Sequence, residues 1–347
     1  MAYTTIDKPS DYFNTKLYTG TGGTQAITGV GFQPDWVWLK ARSSAYSHQL
    51  FDVVRGATKL LSSEETSAEQ TLSGVTAFGS DGFTVGSDAG SNNNTTTFAS
   101  WNWKAGGSAS SNTDGSITST VSANTTSGFS IVSYTGNGTD GATVGHGLTS
   151  PKLVLIKDRD NATPWLMYGY PNHPAFPNDG SLIKLNENSA MVTDDSTTEL
   201  SIGSSTVTFV DAGSAINANS TQFIMYCFQE KKGYSKFGSY TGNGNADGPF
   251  VYTGFKPAFV LWKPATQSNT DWVILDNKRD TFNVADDYLL ANSSNAEGNL
   301  DLMDFLSNGF KLRQVSGNNE SGQTIIYMAF AESPFVTGAS AIPTTAR

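Results

Sequence analysis

"SYTGNGTDG", residues 133–141, sets Gly136, Gly138 and Gly141 in the spacing of a dinucleotide-binding loop. The stretch returns with a change as "SYTGNGNADG" at 239–248, and in reduced form as "LYTGTGG" at 17–23. A pyrophosphate loop needs a strand before it and a helix after it, so that the helix N-terminus faces the phosphates. Here "ATVGHGL" and "PFVYTGF" follow, strand-like and carrying further glycine. The third occurrence also breaks the spacing by one residue. A β-hairpin turn, in which Asn-Gly favours positive φ, accommodates both facts. The glycines are expected to shape turns, and no cofactor is expected.

Aligning the chain on this turn yields three copies: "LYTGTGGTQAITGVGFQPDWVWLKARS", "SYTGNGTDGATVGHGLTSPKLVLIKDRD" and "SYTGNGNADGPFVYTGFKPAFVLWKPAT". Tyr18, Tyr134 and Tyr240 fall in register, as do Pro34, Pro151 and Pro257, and Lys40, Lys157 and Lys263. The copies end alike in "TFASWNWKA", "QFIMYCFQE" and "TIIYMAFAE". A weaker match sets "HQLFDVVRG" (48–56) against "DWVILDNKR" (271–279). A period of roughly a hundred residues exceeds solenoid repeats, so each copy is expected to be a domain with its own core.

"WVWL", "LVLI" and "FVLW" read as strands buried on both faces. The best helical candidate is "NLDLMDFLSNG" (299–309), with Asn308 and Gly309 as its stop. The expected fold is all-β: three related antiparallel β-sandwich-like domains in tandem, at 1–105, 129–232 and 233–335. A Gly/Ser/Thr-rich linker occupies 106–128, where "SITSTVSA" adds a strand, and 336–347 forms a C-terminal arm.

The 347-residue chain has a formal charge of -10 and one cysteine. That charge opposes binding nucleic acid through its phosphates. The N-terminus has no apolar signal region and no stretch reaches membrane-span length, so a soluble chain without membrane insertion is expected. Cys227 alone supports neither a disulfide framework nor a cysteine zinc site, and it reads as a small buried hydrophobe.

Chemistry-bearing motifs are thin. His48, His146 and His173 stand at non-equivalent places without metal-ligand spacing. His48 could meet Asp52 in a local hydrogen bond, and His146 reads as a solvent-exposed or turn residue. No nucleophile elbow precedes a helix. The neighbouring carboxylates Glu64–Glu65, Asp194–Asp195 and Asp286–Asp287 would point to opposite faces of a strand, unlike a glycosidase pair. "SDAGSNNN" (87–94) lacks the ordered spacing of a calcium loop. No catalytic, cofactor-binding or metal residue is therefore assigned. Most tryptophans read as core. Trp165, Tyr168, Tyr170 and His173, beside the proline-rich loop "YPNHPAFPN", are the best candidates for an exposed binding surface, where rings would lie against a sugar face.

The strings "GFQPDWVWLKARS", "FGSDGFTVGSD", "ASWNWKAGG", "DGSITSTVSANTTSGFSIVSYTGNG", "FVYTGFKPAFVLWK" and "DFLSNGFKLR" resemble, in order over nearly the whole chain, the repeat domain of marine tailed-bacteriophage virion proteins. The resemblance implies a non-enzymatic virion structural protein assembled in the host cytoplasm. Its implied place is a tail fibre or adhesin, with other virion proteins and a host surface glycan or receptor as partners. Phage fibres are commonly trimers, so a homotrimer is the implied oligomer, and weak contacts would add up through avidity. Two other roles fit the same strings: a capsid decoration or tail-assembly protein, and a polysaccharide depolymerase.

Overall fold

The glycine turns are held from beneath by one asparagine each. The computed structural model describes residues 3–170, 173, 175–178, 180–337 and 343–345. In each copy the opening strand (Phe13–Thr19, Phe129–Thr135 or Ser235–Thr241) runs into the glycines. Asn92, Asn217 and Asn319, all fully buried, close three short helical turns: Ala89–Asn92, Ser214–Asn217 and Gly317–Asn319. Their side-chain Oδ1 accepts from Thr21, Asn137 and Asn243 N–H at 2.8, 3.0 and 3.0 Å. Their carbonyls accept from Gly22, Gly138 and Gly244 N–H at 2.7, 2.8 and 2.7 Å. Those glycines have φ of 75°, 64° and 65°, a region costly for other residues. A Cβ on Gly136 would collide with the Ala218 carbonyl oxygen, and Gly20 and Gly242 are equally confined. Tyr18, Tyr134 and Tyr240 then donate to the carbonyls of Ser91, Ile216 and Asn318. The motif is a turn clamp.

The protein is all-β, with the same sheet order in every copy. The opening strand pairs antiparallel with the closing strand: Thr97–Trp103, Gln222–Phe228 or Thr324–Pro334. That strand pairs with Trp36–Ala41, Leu153–Asp158 or Phe255–Pro264, which pairs with Gln49–Asp52, Leu166–Gly169 or Val273–Asp276. A second small sheet completes each sandwich, centred on Gly82–Val85, Thr206–Phe209 and Gly309–Leu312. In copy three Ala285–Leu290 bridges both layers, giving one eight-stranded sheet. The stretch 299–309 is not helical: Gly298–Leu306 is a strand that turns through Asn308 into Gly309–Leu312. Leu306 pairs with Gly309, so Ser307 and Asn308 form the two-residue hairpin loop. Residues 106–128 supply two strands, Ser110–Asn112 and Ser119–Asn124, the latter pairing with the opening strand of copy two. Of the C-terminal arm, 338–342 and 346–347 lie outside the described residues; Thr344 N–H donates back to Phe335 O at 3.0 Å. Among the described residues no helix is long and apolar enough to cross a membrane.

The doubly buried strands split their side chains between two cores. Val37 and Leu39 join Ile27, Phe83 and Val85 inside the first sandwich. Trp36 and Trp38, on the opposite face, join Trp101, Trp103, Tyr226, Phe228, Phe259 and Phe330 in a larger core that draws on all three copies. Trp36 stacks on Tyr226 with centroids 4.5 Å apart, and Phe13 stacks on Phe330 at 5.2 Å. Copies two and three enclose sandwich cores of their own, one with Val132 and Phe223 and one with Val260 and Phe305, and the central core is common to all three. With about 1.5–3 kcal/mol per buried large side chain, this shared core is a main source of cohesion.

Equivalent bonds pass from copy to copy in one rotational sense. The residue before each fourth strand donates a ring N–H to a neighbour's carbonyl. His48 Nε2 reaches Leu290 O at 2.9 Å, Trp165 Nε1 reaches Ser62 O at 2.8 Å, and Trp272 Nε1 reaches Lys184 O at 2.9 Å. A backbone bond of 2.8 Å accompanies each: Glu297 N–H to Arg42 O, Glu69 N–H to Arg159 O, and Met191 N–H to Ala265 O. Copy one engages three, two engages one, and three engages two. The copies close into a ring.

Candidate functional site: an amide-lined groove between copies two and three

Of the residues expected at a surface, Trp165, Tyr168 and His173 are inside, and Tyr170 is half-buried. Trp165 and Tyr168 are buried, and the Tyr168 hydroxyl donates to Thr198 O at 2.8 Å. Tyr170 is half-buried, with Lys152 Nζ 3.6 Å from its ring centroid. His173 is 2 % exposed and packs edge-on against Tyr170 and Phe176. Its Nδ1 accepts from Ala175 N–H at 3.1 Å, and burial, aided by Lys152, pushes its pKa down to about 4. The structure brings Tyr170 and His173 together as loop packing, and sets Trp165 and Tyr168 in two different cores. Pro171, Asn172, Pro174 and Asp179 of that loop lie outside the described residues. Gly169 stands where the other copies carry Asp52 and Asp276, and its missing side chain leaves room for Phe176, against which His173 packs. His48 does not meet Asp52; its Nδ1 accepts from Trp38 Nε1 at 2.8 Å. His146 is buried, with its pKa also pushed down to about 4 by burial. Cys227 is buried, its thiol pushed up to about 12.

The acidic residues of the junctions are structural. At one junction Asp52 accepts from the Tyr226 hydroxyl at 2.7 Å and from Arg55 Nε at 2.5 Å. Arg55 continues to Glu69 at 3.3 Å, and Arg159 grips Glu69 with two bonds of 2.9 Å. The next junction repeats the pattern: Trp101 Nε1 to Asp276 at 2.9 Å, Arg279 to Asp276 at 2.6 Å, Arg279 to Glu297 at 3.0 Å, and Arg42 onto Glu297. Burial works to raise the Asp276 pKa, but the Arg279 guanidinium holds it below the usual range. At the third junction Gly169, Met191, Ala265 and Met328 stand at four positions of the relay, and the fifth falls on Asn172, outside the described residues. The small cavity there is apolar, lined by Leu153, Met167, His173, Phe176, Trp272 and Met328 among others.

Asp280, Asp286 and Asp287 bring their carboxylates within 4.8 Å of one another. Burial first, then the Asp286 hydrogen bond and the Asp287 charge, pushes Asp280 up to about 7. Asp287 is already engaged by Arg42 at 3.3 Å and by Asn299 at 3.1 Å. A proton held by Asp280 relieves the crowding.

Beside the third junction the surface is concave. Two adjoining hollows of about 230 and 460 Å³ share Asp271 and Leu290. The smaller is floored by Val273, Tyr288, Leu290 and Leu302, with Leu300, 50 % exposed, on its wall. The larger is lined by Asn186, Glu187 and Asn188 of copy two and by Asn292, Ser293 and Asn295 of copy three. Asn186 and Asn292 are equivalent loop residues whose Oδ1 atoms accept from Trp165 and Trp272 N–H at 2.9 and 2.8 Å. Asn292 Nδ2 donates to Asp271 at 2.7 Å, and Lys184 pairs with Glu187 at 3.1 Å. The fold thus fixes the inner amides. Those of Asn188 and Asn295 stand exposed at the opening. Such a surface offers matched donors and acceptors beside an apolar wall. Sequence reading missed it because its two halves come from loops about a hundred residues apart; the recurring asparagine after each loop start was the available signal.

The family described as a domain of unknown function (DUF7483) matches residues 8–334, so a single match spans all three copies. No curated protein and no solved structure matches the chain.

Proposed function

For this chain, which belongs to the DUF7483 family, we propose a non-enzymatic role as a bacteriophage virion structural protein, a tail-fibre or adhesin component that contacts the host surface. The resemblance of its strings to phage repeat domains motivates the reading. The observation that carries it is the groove: a concave surface of amides and apolar side chains, mounted on a rigid ring, suits recognition. Copy one has Ser47 and copy two Pro164 where copy three has Asp271, which with Leu290 is common to both hollows. The groove chemistry is therefore peculiar to one junction, and multivalent attachment would come from several copies of the chain in a homo-oligomer bound to other virion proteins. Immunogold labelling of intact particles tests this. Label at the tail is expected; label spread over the head lattice, or absent from particles, would reject the attachment role.

A further inference from the structure

We infer that the groove between copies two and three binds an uncharged pyranose of a surface polysaccharide and discriminates against acidic sugars. This rests on the reading of the molecule as an attachment protein. Three features of the groove converge on that chemistry.

First, the two hollows are chemically unlike but continuous through Asp271 and Leu290. Tyr288, Leu300 and Leu302 form an apolar wall, and Leu300 is left half in water. A pyranose has a C–H face that covers such a wall, and hydroxyls around its edge. Second, the polar half pairs amides, which both donate and accept, with carboxylates, which only accept. Neighbouring sugar hydroxyls can accept from an Asn188 or Asn295 amide while donating to Asp271 or Glu187. Asn292 holds Asp271 in place at 2.7 Å and is itself pinned by Trp272 N–H, so the acceptor is preorganised. Third, neither hollow is lined by a lysine, arginine or histidine: the nearby Lys184 is spent on Glu187 at 3.1 Å, and Lys263, fully buried behind the wall, is spent on the Thr270 carbonyl. A uronate or sialate would bring its charge toward two carboxylates with no cation to receive it. The combined opening falls in the size class of small-ligand sites, roughly 300–1,000 Å³.

The test uses the full chain on an array of neutral and acidic oligosaccharides, followed by calorimetric titration of each bound neutral glycan. Binding to at least one neutral glycan is expected, with acidic counterparts at least tenfold weaker. The Asn188→Ala/Asn295→Ala double variant and Leu300→Ser, all at exposed positions, should each weaken binding about tenfold without shifting the melting temperature. Phe282→Ser, outside the groove, should leave binding unchanged. Absence of neutral-glycan binding at millimolar concentration, preference for acidic sugars, or indifference to the groove variants would each overturn the inference. A particle-bound protein that ignores neutral glycans would sink this inference alone, whereas a neutral-glycan binder missing from particles would sink the attachment role alone.

Discussion

At pH 6 Glu64 retains a proton that a glutamate in water would have lost. Its carboxyl accepts from His48 N–H at 3.0 and 3.2 Å, the bond that Asn186 and Asn292 accept in the other copies. Burial pushes its pKa up to about 7, and the neighbouring Glu65 charge adds to this. Between the unfolded value near 4.5 and the folded value near 7, the folded state binds more protons, so stability falls as pH rises through that window. Two copies already use a neutral amide at this place. Glu64→Gln should therefore stabilise the protein by roughly 1–2 kcal/mol at pH 8 and by little at pH 4.5, read from urea unfolding at both. An equal effect at both pH values would mean that the carboxyl is not proton-linked. Lys40, Lys157 and Lys263 show the opposite linkage. Burial lowers each to about 8, so their charged forms cost stability that returns as pH climbs above 8.

At the scale of elements, the junctions differ in chemistry but keep one geometry. Removing one member of a buried, hydrogen-bonded charge relay leaves its partner uncompensated, whereas an apolar junction has nothing to strand. In the cycle of Glu69→Ala, Arg159→Ala and the double variant, a coupling energy of about 1–3 kcal/mol is expected from denaturant unfolding. A value below about 0.3 kcal/mol would reduce the pair to a surface contact. Much of this element level was legible in the chain. The Tyr, Pro and Lys positions fell in register, and "WVWL", "LVLI" and "FVLW" read as doubly buried strands, as they are. What lay behind the second face was not legible, because an apolar run looks the same against its own sandwich as against a neighbouring copy. Trp165 and Tyr168 were misplaced for that reason, since both sit in or beside a fourth strand covered on each side. The helix expected at 299–309 failed because "LDLMDFL" satisfies both periods, and only its pairing with Gly309–Leu312 decides between them.

On the scale of the whole molecule, closing the ring changes what a copy is. Trp36, Trp38, Trp101 and Trp103 lie at 0–2 % exposure only because copies two and three cover them. The N-terminal segment strengthens the closure, with Tyr3 donating to Gly254 O of copy three at 2.6 Å and Thr4 to the carbonyl of Lys232, the last residue of copy two, at 2.7 Å. A separated copy would turn a tryptophan-rich sheet face toward water, a larger apolar patch than soluble monomers usually expose. The sandwich cores are therefore thermodynamically linked through the central one. Heating or denaturing the full chain should give one transition, coincident by tryptophan fluorescence and by far-UV circular dichroism, with calorimetric and van't Hoff enthalpies in agreement. Residues 9–105 expressed alone should lack a near-UV signal and associate. Three separable transitions, or a soluble and cooperatively folded first copy, would mean that the central core is a contact between finished domains. The single transition is expected because the ring leaves no copy with a complete surface of its own.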